Sequence, residues 1–196
     1  ENVYGDSVSV VKSYDDYFYC FICDGMGSGE DAALTSRMCR VFLEKMLACG
    51  NKKSTTLEML NNLVCSKSTE CFATVDLLEV DLMQGIASFI KSGAVPSYVI
   101  REKHLYKIAS GTFPIGIVPQ VSAEVTEFEL EDGDVILLCS DGVASDIEAC
   151  ETGDPAWFVE FISTEWTDNL GVMAEKIIHA AQGAAARADD MTVELV

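Results

Sequence analysis

The alternation of apolar and polar residues predicts a chain in which strands outnumber helices. Residues 3–11 and 17–23 are predicted to form two strands that are joined by a polar turn. Further strands are expected where apolar residues alternate or run continuously, at 78–82, 86–90, 98–100, 105–108, 121–130 (with a bulge), 135–139 and 191–196. Most of these strands follow one another as hairpins, which favours antiparallel sheets over a doubly wound parallel sheet.

Three segments instead show the apolar spacing of helices. The first helix is expected after Gly29 and ends at Gly50 and Asn51. Its predicted packed side consists of Leu34, Met38, Val41, Phe42 and Met46. The second helix is expected to start after Ser54 as its N-cap, and the third spans roughly 170–187. The whole pattern predicts an α+β fold, with helices packed outside antiparallel sheets.

Length and charge narrow the classes of protein. The 196 residues are enough for one globular domain, assigned to 1–196. The formal charge of -19 comes from 32 acidic and 13 basic residues. Long-range repulsion from phosphate groups then argues against binding to nucleic acid or to an anionic membrane.

The cysteines and histidines do not point to a catalytic or zinc site. Cys20 and Cys23 lie in an apolar strand, where a spacing of three residues places the thiols on opposite faces, so packing is the preferred interpretation. No other cysteines complete a zinc pattern, and Cys139 lacks the Cys-x5-Arg loop of cysteine phosphatases. His104 and His179 are interpreted as ordinary surface or packing histidines.

Aspartates recur at strand ends, beside glycine or another aspartate. Asp6 follows Gly5 in the first strand, and Asp24 ends the second strand before Gly25. Asp141 follows the apolar run 135–139 and precedes Gly142. Asp189 and Asp190 stand between the last helix and the last strand. These aspartates are the candidate site residues.

The setting of these carboxylates suggests a cation. Lys and Arg are scarce nearby, and carboxylates that converge without basic partners repel one another. A divalent cation removes that conflict, and oxygen ligands favour Mg²⁺ or Mn²⁺ over zinc. The alternative for any single Asp-Gly is an ordinary turn or cap aspartate, and it stays open.

The same residues resemble the ordered motifs of a known family. Gly5-Asp6-Ser7, Asp24 to Gly29, Ser140-Asp141-Gly142 and Asp189 to Thr192 resemble the motifs of PPM-type, metal-dependent protein phosphatases. The segments 74–77, 91–98 and 113–117 resemble, more narrowly, the catalytic domain of the stage II sporulation protein E family. The resemblance runs from about residue 3 to 196.

The resemblance implies a fold and a site. The fold would be a two-layer β-sandwich flanked by α-helices, with a pair of Mn²⁺ or Mg²⁺ ions. Asp24 would bridge both ions, the Gly25 carbonyl would bind one, and Asp6, Asp141 and Asp189 would supply the other carboxylates. Asp190 is the alternative to Asp189. The chain has Tyr4 and Gly5 near the place where eukaryotic relatives carry a phosphate-gripping arginine.

The resemblance also implies a function. The substrate would be a phosphoserine on an anti-anti-sigma factor, hydrolysed by a metal-activated water in sporulation signalling. The domain would be cytoplasmic and make no membrane contact of its own. The full-length protein would be membrane-anchored. A homo-oligomer is compatible with the resemblance. The alternative is an inactive scaffold domain that keeps the fold; its mark would be missing metal aspartates, and the four main ones are present.

Overall fold

The structure is a computed structural model, and it describes residues 4–12, 16–67, 71–120, 124–147, 156–184 and 190–196. Within these ranges, the side chains of 145–147, 156, 157 and 184 are not described. The chain divides into two compact units, one made of Glu1–Ala94 and Ser110–Leu130, the other of Val95–Ala109 and Glu131–Val196. The assignment of a single domain to 1–196 stays a prediction.

Unit 1 is built on an antiparallel sheet with the strand order β1-β2-β3-β4-β7. The strands are β1 (Asp6–Lys12), β2 (Tyr17–Gly25), β3 (Ala73–Asp81), β4 (Ile86–Ser92) and β7 (Glu124–Glu129). Their pairing is regular, so that β7 faces β4 residue for residue over its whole length. The bulge predicted within 121–130 is therefore absent from 124–129, where one-to-one pairing leaves no extra residue; 121–123 lie outside the described residues.

Two helices, α1 (Glu30–Ala48) and α2 (Lys53–Cys65), pack on one face of this sheet. The core between them contains Phe21, Cys23, Leu77 and Ile90 from the strands. Its helical side is formed by Cys39, Leu43, Leu47, Leu57, Leu60 and Val64.

Two helix predictions need correction. Leu34 and Val41 are exposed, because α1 turns the stripe through Cys39 and Leu43 towards the sheet instead. Ser54 is not the N-cap of α2, since the helix already begins at Lys53 and its cap position makes no side-chain hydrogen bond.

Unit 2 has a sheet of its own with the strand order β6-β5-β8-β9. The strands are β5 (Ser97–Arg101), β6 (His104–Ile108), β8 (Val135–Cys139) and β9 (Val193–Leu195), all in antiparallel pairs. The helices in the described part of this unit are α3 (Asp141–Ile147), α4 (Ala156–Glu165) and α5 (Leu170–Ala184). Its core joins Tyr98 and Leu137 of the sheet to Val143, Phe158, Met173 and Ile177 of the helices.

The predicted fold class, α+β with antiparallel sheets and helices, is confirmed. The two helices α3 and α4 were not predicted. Cys20 and Cys23 are buried and form no disulfide, and only Cys23 belongs to the core under the helices, as the opposite-face interpretation requires. His104 and His179 are both exposed. No helix within the described ranges has the length and apolar character needed to span a membrane.

Candidate metal centre

Asp6 and Asp24 lie directly opposite each other on the neighbouring antiparallel strands β1 and β2. Side chains of opposite residues share one face of a sheet, with Cβ atoms about 4.5–5.5 Å apart. Both residues are half-buried. Like charges in opposite positions destabilise a sheet unless a counter-charge compensates them. The register of these two strands therefore creates a pair of oxygen donors that a cation would stabilise.

Gly25, the last residue of β2, lies against the first turns of α1. A Cβ atom added to Gly25 would stand 2.0 Å from the carbonyl oxygen of Ala32, which no side chain can accommodate. The amide of Gly25 donates a hydrogen bond to the Gly5 oxygen (3.2 Å), next to Asp6. Only glycine fits after Asp24, because the strand end lies so close to the backbone of α1. This close approach places the carboxylate pair beside the start of the helix.

In unit 2, a single serine organises the other acidic segment. Ser140 is buried, and its Oγ donates to the carbonyl oxygen of Asp190 (3.2 Å) while accepting from the amide of Thr192 (2.9 Å). The backbone amide of Ser140 also donates to the Thr192 oxygen (3.0 Å). Asp141, the next residue, begins α3 and is exposed. Ser140 thus holds the segment around Asp190 beside the start of α3.

The predicted site residues fall into these two places. Asp6, Asp24 and Gly25 meet in unit 1, whereas Asp141 and the backbone of Asp190 are brought together in unit 2. Asp189 lies outside the described residues. Over the described ranges, no group of three or more His, Cys, Asp or Glu side chains could hold a metal ion. The complete ligand set and the number of ions therefore stay predictions.

The donors that do meet fit a hard divalent cation. They are carboxylate oxygens, with a backbone carbonyl adjacent at Gly25, and such ligands suit Mg²⁺ and Mn²⁺. Cys39 of α1 instead lies in the core under the helices, and burial raises the pKa of its thiol to about 12, which keeps it protonated at neutral pH. The residues of unit 1 are therefore consistent with the predicted metal chemistry.

Two functional candidates were missed by the sequence analysis. In the sequence, Ser140 stands out only as part of a motif. Its hydroxyl makes two of the bonds that hold the 190–192 segment. Asp76 and Lys91 form a buried ion pair on paired strands, with 2.7 Å between Asp76 Oδ2 and Lys91 Nζ. The available signal was a charged residue beside apolar neighbours in each of two strands, at positions that only the register shows to be opposite.

Unit 2 also contains a cavity of about 360 Å³, which belongs to a different place. Its walls include Arg101, Asp134 and Trp166, at the end of β8 away from Asp141. Arg101 binds both carboxylate oxygens of Asp134, at 2.8 and 2.6 Å. The hydrogen bonds from this guanidinium hold the pKa of Asp134 below its usual range. This network ties two turns together and is not part of the metal centre.

Comparisons with known proteins agree with this geometry. The sequence model of the family described as Stage II sporulation protein E (SpoIIE) matches residues 14–196. The stage II sporulation protein E of Bacillus subtilis (strain 168) is 29% identical over 199 residues, a stretch covering 99% of this chain and 24% of that protein. This chain thus spans about a quarter of that relative's length.

Solved structures give the fold. The PP2C phosphatase domain of SpoIIE from Bacillus subtilis, solved with a fragment of its regulatory domain, superposes with a TM-score of 0.89 at 27% identity, over 100% of this chain and 58% of that one. RsbX in complex with magnesium matches with a TM-score of 0.73 at 19% identity, over 100% of this chain and 87% of that one, which shows the fold alone. The chain therefore belongs to the stage II sporulation protein E family and corresponds to its PP2C phosphatase domain.

Proposed function

We propose that this chain is a metal-dependent protein serine/threonine phosphatase that hydrolyses a phosphoserine on an anti-anti-sigma factor. The observation that carries the proposal is the placement of Asp6 directly opposite Asp24 at the end of two paired strands. Two carboxylates on one face of a rigid sheet would supply part of a metal-binding set, and the family suggests the reaction class. The magnesium in the RsbX structure is consistent with a divalent cation.

The residues have separate roles in this proposal. Asp24, Asp6 and the carbonyl of Gly25 would be metal ligands, and so would Asp141 with Asp189 or Asp190. Two Mn²⁺ or Mg²⁺ ions bound there would lower the pKa of a water and neutralise charge on the phosphoryl group.

The chain's own structure would do the positioning. The β1–β2 ladder fixes the direction of Asp6 and Asp24, and the missing side chain at Gly25 lets the strand end lie directly against the backbone of Ala32 in α1. Ser140 fixes the backbone at Asp190 beside Asp141. A site arranged before substrate arrives needs little reorganisation during the reaction, which is where such catalysis gains most.

The wider biological setting belongs to the same proposal. A location of this domain in the cytoplasm, a membrane-anchored region elsewhere in the full-length protein, and a role in sporulation signalling are all carried over from the family resemblance. A homo-oligomer is compatible with the proposal.

The test measures inorganic phosphate released from a phosphoserine-bearing anti-anti-sigma factor, with Mn²⁺ and Mg²⁺ assayed separately. We expect turnover that depends on the metal and falls by about 10³-fold in Asp24→Asn, because several kcal/mol of charge stabilisation are lost. Asp132→Asn removes an exposed carboxylate from a turn of unit 2 and should leave turnover unchanged. Absence of turnover at saturating Mn²⁺ would favour the inactive scaffold, and near-normal turnover in Asp24→Asn would refute the site.

A further inference from the structure

The face of the unit 1 sheet that is turned away from α1 and α2 carries a corner of charged residues. Side chains alternate along a strand, and the helices cover the face of Phe21, Cys23 and Leu77. The opposite face therefore presents the residues at the intervening positions. At the corner where β2 ends, these are Asp6, Asp24, Asp76, Lys91 and Glu124. We call this set the charged corner.

The register gives the relative positions within the charged corner. Asp24 is opposite Thr74 on β3, and Asp76 comes two residues later on the same strand. Asp76 is thus the diagonal neighbour of Asp24, at about 7–8 Å. Lys91 is opposite Asp76 on β4, one strand further from Asp24. The negative member of the ion pair is therefore the one on the strand next to Asp24.

The Asp76–Lys91 pair is buried almost completely. The side chain of Lys91 is 1% exposed and that of Asp76 is 2% exposed, with 2.7 Å between the charged atoms. Removing two charges from water costs so much that such a pair can often be replaced by apolar residues without loss of stability. Stability alone is therefore a weak reason for a strand pair to carry these residues.

The backbone around Lys91 is held firmly as well. The hydroxyl of Thr112 donates to the Lys91 carbonyl oxygen (2.7 Å) and accepts from the amide of Gly93 (3.3 Å). Gly93 has a φ of 66°, and a Cβ atom there would stand 2.4 Å from Pro114. The ammonium group consequently projects from a fixed point at the end of β4.

We propose that Asp76, with its charge balanced by Lys91, is a positioning residue that strengthens cation binding at Asp6 and Asp24. The inference rests on the proposed function, because it assumes that these two carboxylates hold a divalent cation. Asp76 would act from one diagonal step away, through its field and through hydrogen bonds to groups around the cation. Lys91 compensates for the burial of that carboxylate and draws it away from direct coordination.

The experiment is calorimetric titration of the 196-residue chain with Mn²⁺, together with urea unfolding of each variant. We expect Asp76→Asn to weaken Mn²⁺ binding by about 10- to 100-fold, the usual effect of removing a group that supports metal ligands. The matched control is Glu79→Gln: Glu79 lies on the same strand, three residues later, and pairs with Lys53 of α2 on the helix face. Its removal should leave Mn²⁺ binding unchanged.

A double variant separates positioning from folding. Asp76→Leu combined with Lys91→Met replaces the pair by apolar side chains of similar size, and we expect the fold to be retained while Mn²⁺ binding stays weakened by the same order. Native Mn²⁺ affinity in this folded double variant would overturn the proposal, and so would native affinity in Asp76→Asn. If the native chain itself shows no Mn²⁺ binding that depends on Asp24, the proposed function fails, and the inference fails with it. Phosphatase activity in the native chain with unaltered affinity in the double variant would remove the inference alone.

Discussion

The two units hold their acidic residues in different ways. In unit 1, Asp6 and Asp24 are placed by a ladder in which every residue of β1 has a partner on β2. In unit 2, Asp141 and Asp190 stand outside the strands, and the side chain of Ser140 makes two of the bonds that hold the 190–192 segment. In the ladder many bonds share the positioning, whereas in unit 2 the hydroxyl and the backbone amide of Ser140 supply three bonds to the 190–192 segment. The sensitivity of the two places to substitution should differ accordingly.

The largest structural effect is expected at Gly25, where the ladder meets α1. Gly25→Ala brings a methyl group against the backbone of Ala32, so either β2 or α1 must move, at a cost of about 1–3 kcal/mol or more. We expect a lower free energy of unfolding in urea. The loss of Mn²⁺ binding free energy should be larger than this loss of unfolding free energy. The control is Gly111→Ala, since Gly111 has open space around its Cβ position. Unchanged Mn²⁺ affinity in Gly25→Ala would show that the strand end tolerates the shift.

A smaller but more selective effect is expected at Ser140. Ser140→Ala removes one donor and one acceptor from a buried position, at a cost of about 1–3 kcal/mol. Because the 190–192 segment then keeps only the backbone bond from the Ser140 amide to the Thr192 oxygen and is held less firmly, turnover should fall by about 10- to 100-fold, as for groups that orient metal ligands.

The matched control is Ser92→Ala in unit 1. Ser92 is also buried and donates one hydrogen bond, to the Phe113 oxygen at 2.7 Å. It should lose comparable stability with little change in turnover, which is measured as phosphate release under saturating Mn²⁺. Equal turnover losses in the two variants would contradict the prediction that Ser140 has a specific role in turnover.

The smallest effect is expected at Asp134, which directly precedes β8 and lies at the opposite end of that strand from Asp141. The pKa of this carboxyl is lowered in the folded chain, mainly by hydrogen bonds from Arg101. Its contribution to stability is therefore fully present above the ordinary aspartate pKa of about 3.9, and it is lost as the pH falls through the lower folded pKa. Asp134→Asn should flatten the acid side of the unfolding curve, measured with urea over a pH series.

A control measurement and a contradicting outcome complete the prediction about Asp134. Mn²⁺ affinity at neutral pH should not change in Asp134→Asn, because the residue is outside the metal centre. An acid limb identical in the native chain and in Asp134→Asn would contradict the role assigned to Arg101.

Local patterns predicted most of the elements but fewer of their orientations. The hairpin strands β1 and β2 and the helix α5 follow directly from apolar spacing. The packed side of α1 was misjudged because Leu34 and Val41 are apolar yet exposed, whereas Ser36 and Cys39 are buried. The side of a helix that meets the sheet depends on the contacts available in three dimensions, and scattered apolar residues on a surface are common.

Short helices were harder still to predict. The helix α3 has only seven residues and begins with Asp141 and Gly142, a pair that is typical of turns. Its packing through Val143 and Ala144 against the core of unit 2 stabilises a segment whose local preference is weak. The same limit applies to the cap of α2, where the residue types favoured Ser54, whereas the helix begins at Lys53, whose side chain pairs with Glu79 of β3.

The sequence by itself determined the antiparallel α+β class, the positions of the aspartates and, through their order along the chain, the family, because these depend on local spacing and on residue identity. Only the tertiary structure decided that Asp6 faces Asp24, that Ser140 holds the 190–192 segment and that Asp76 meets Lys91 inside the sheet. Strand register is a relation between distant segments, and a shift of one residue would turn every side chain to the other face. Residue types therefore determine the chemistry of the site, whereas the fold determines which of these residues meet.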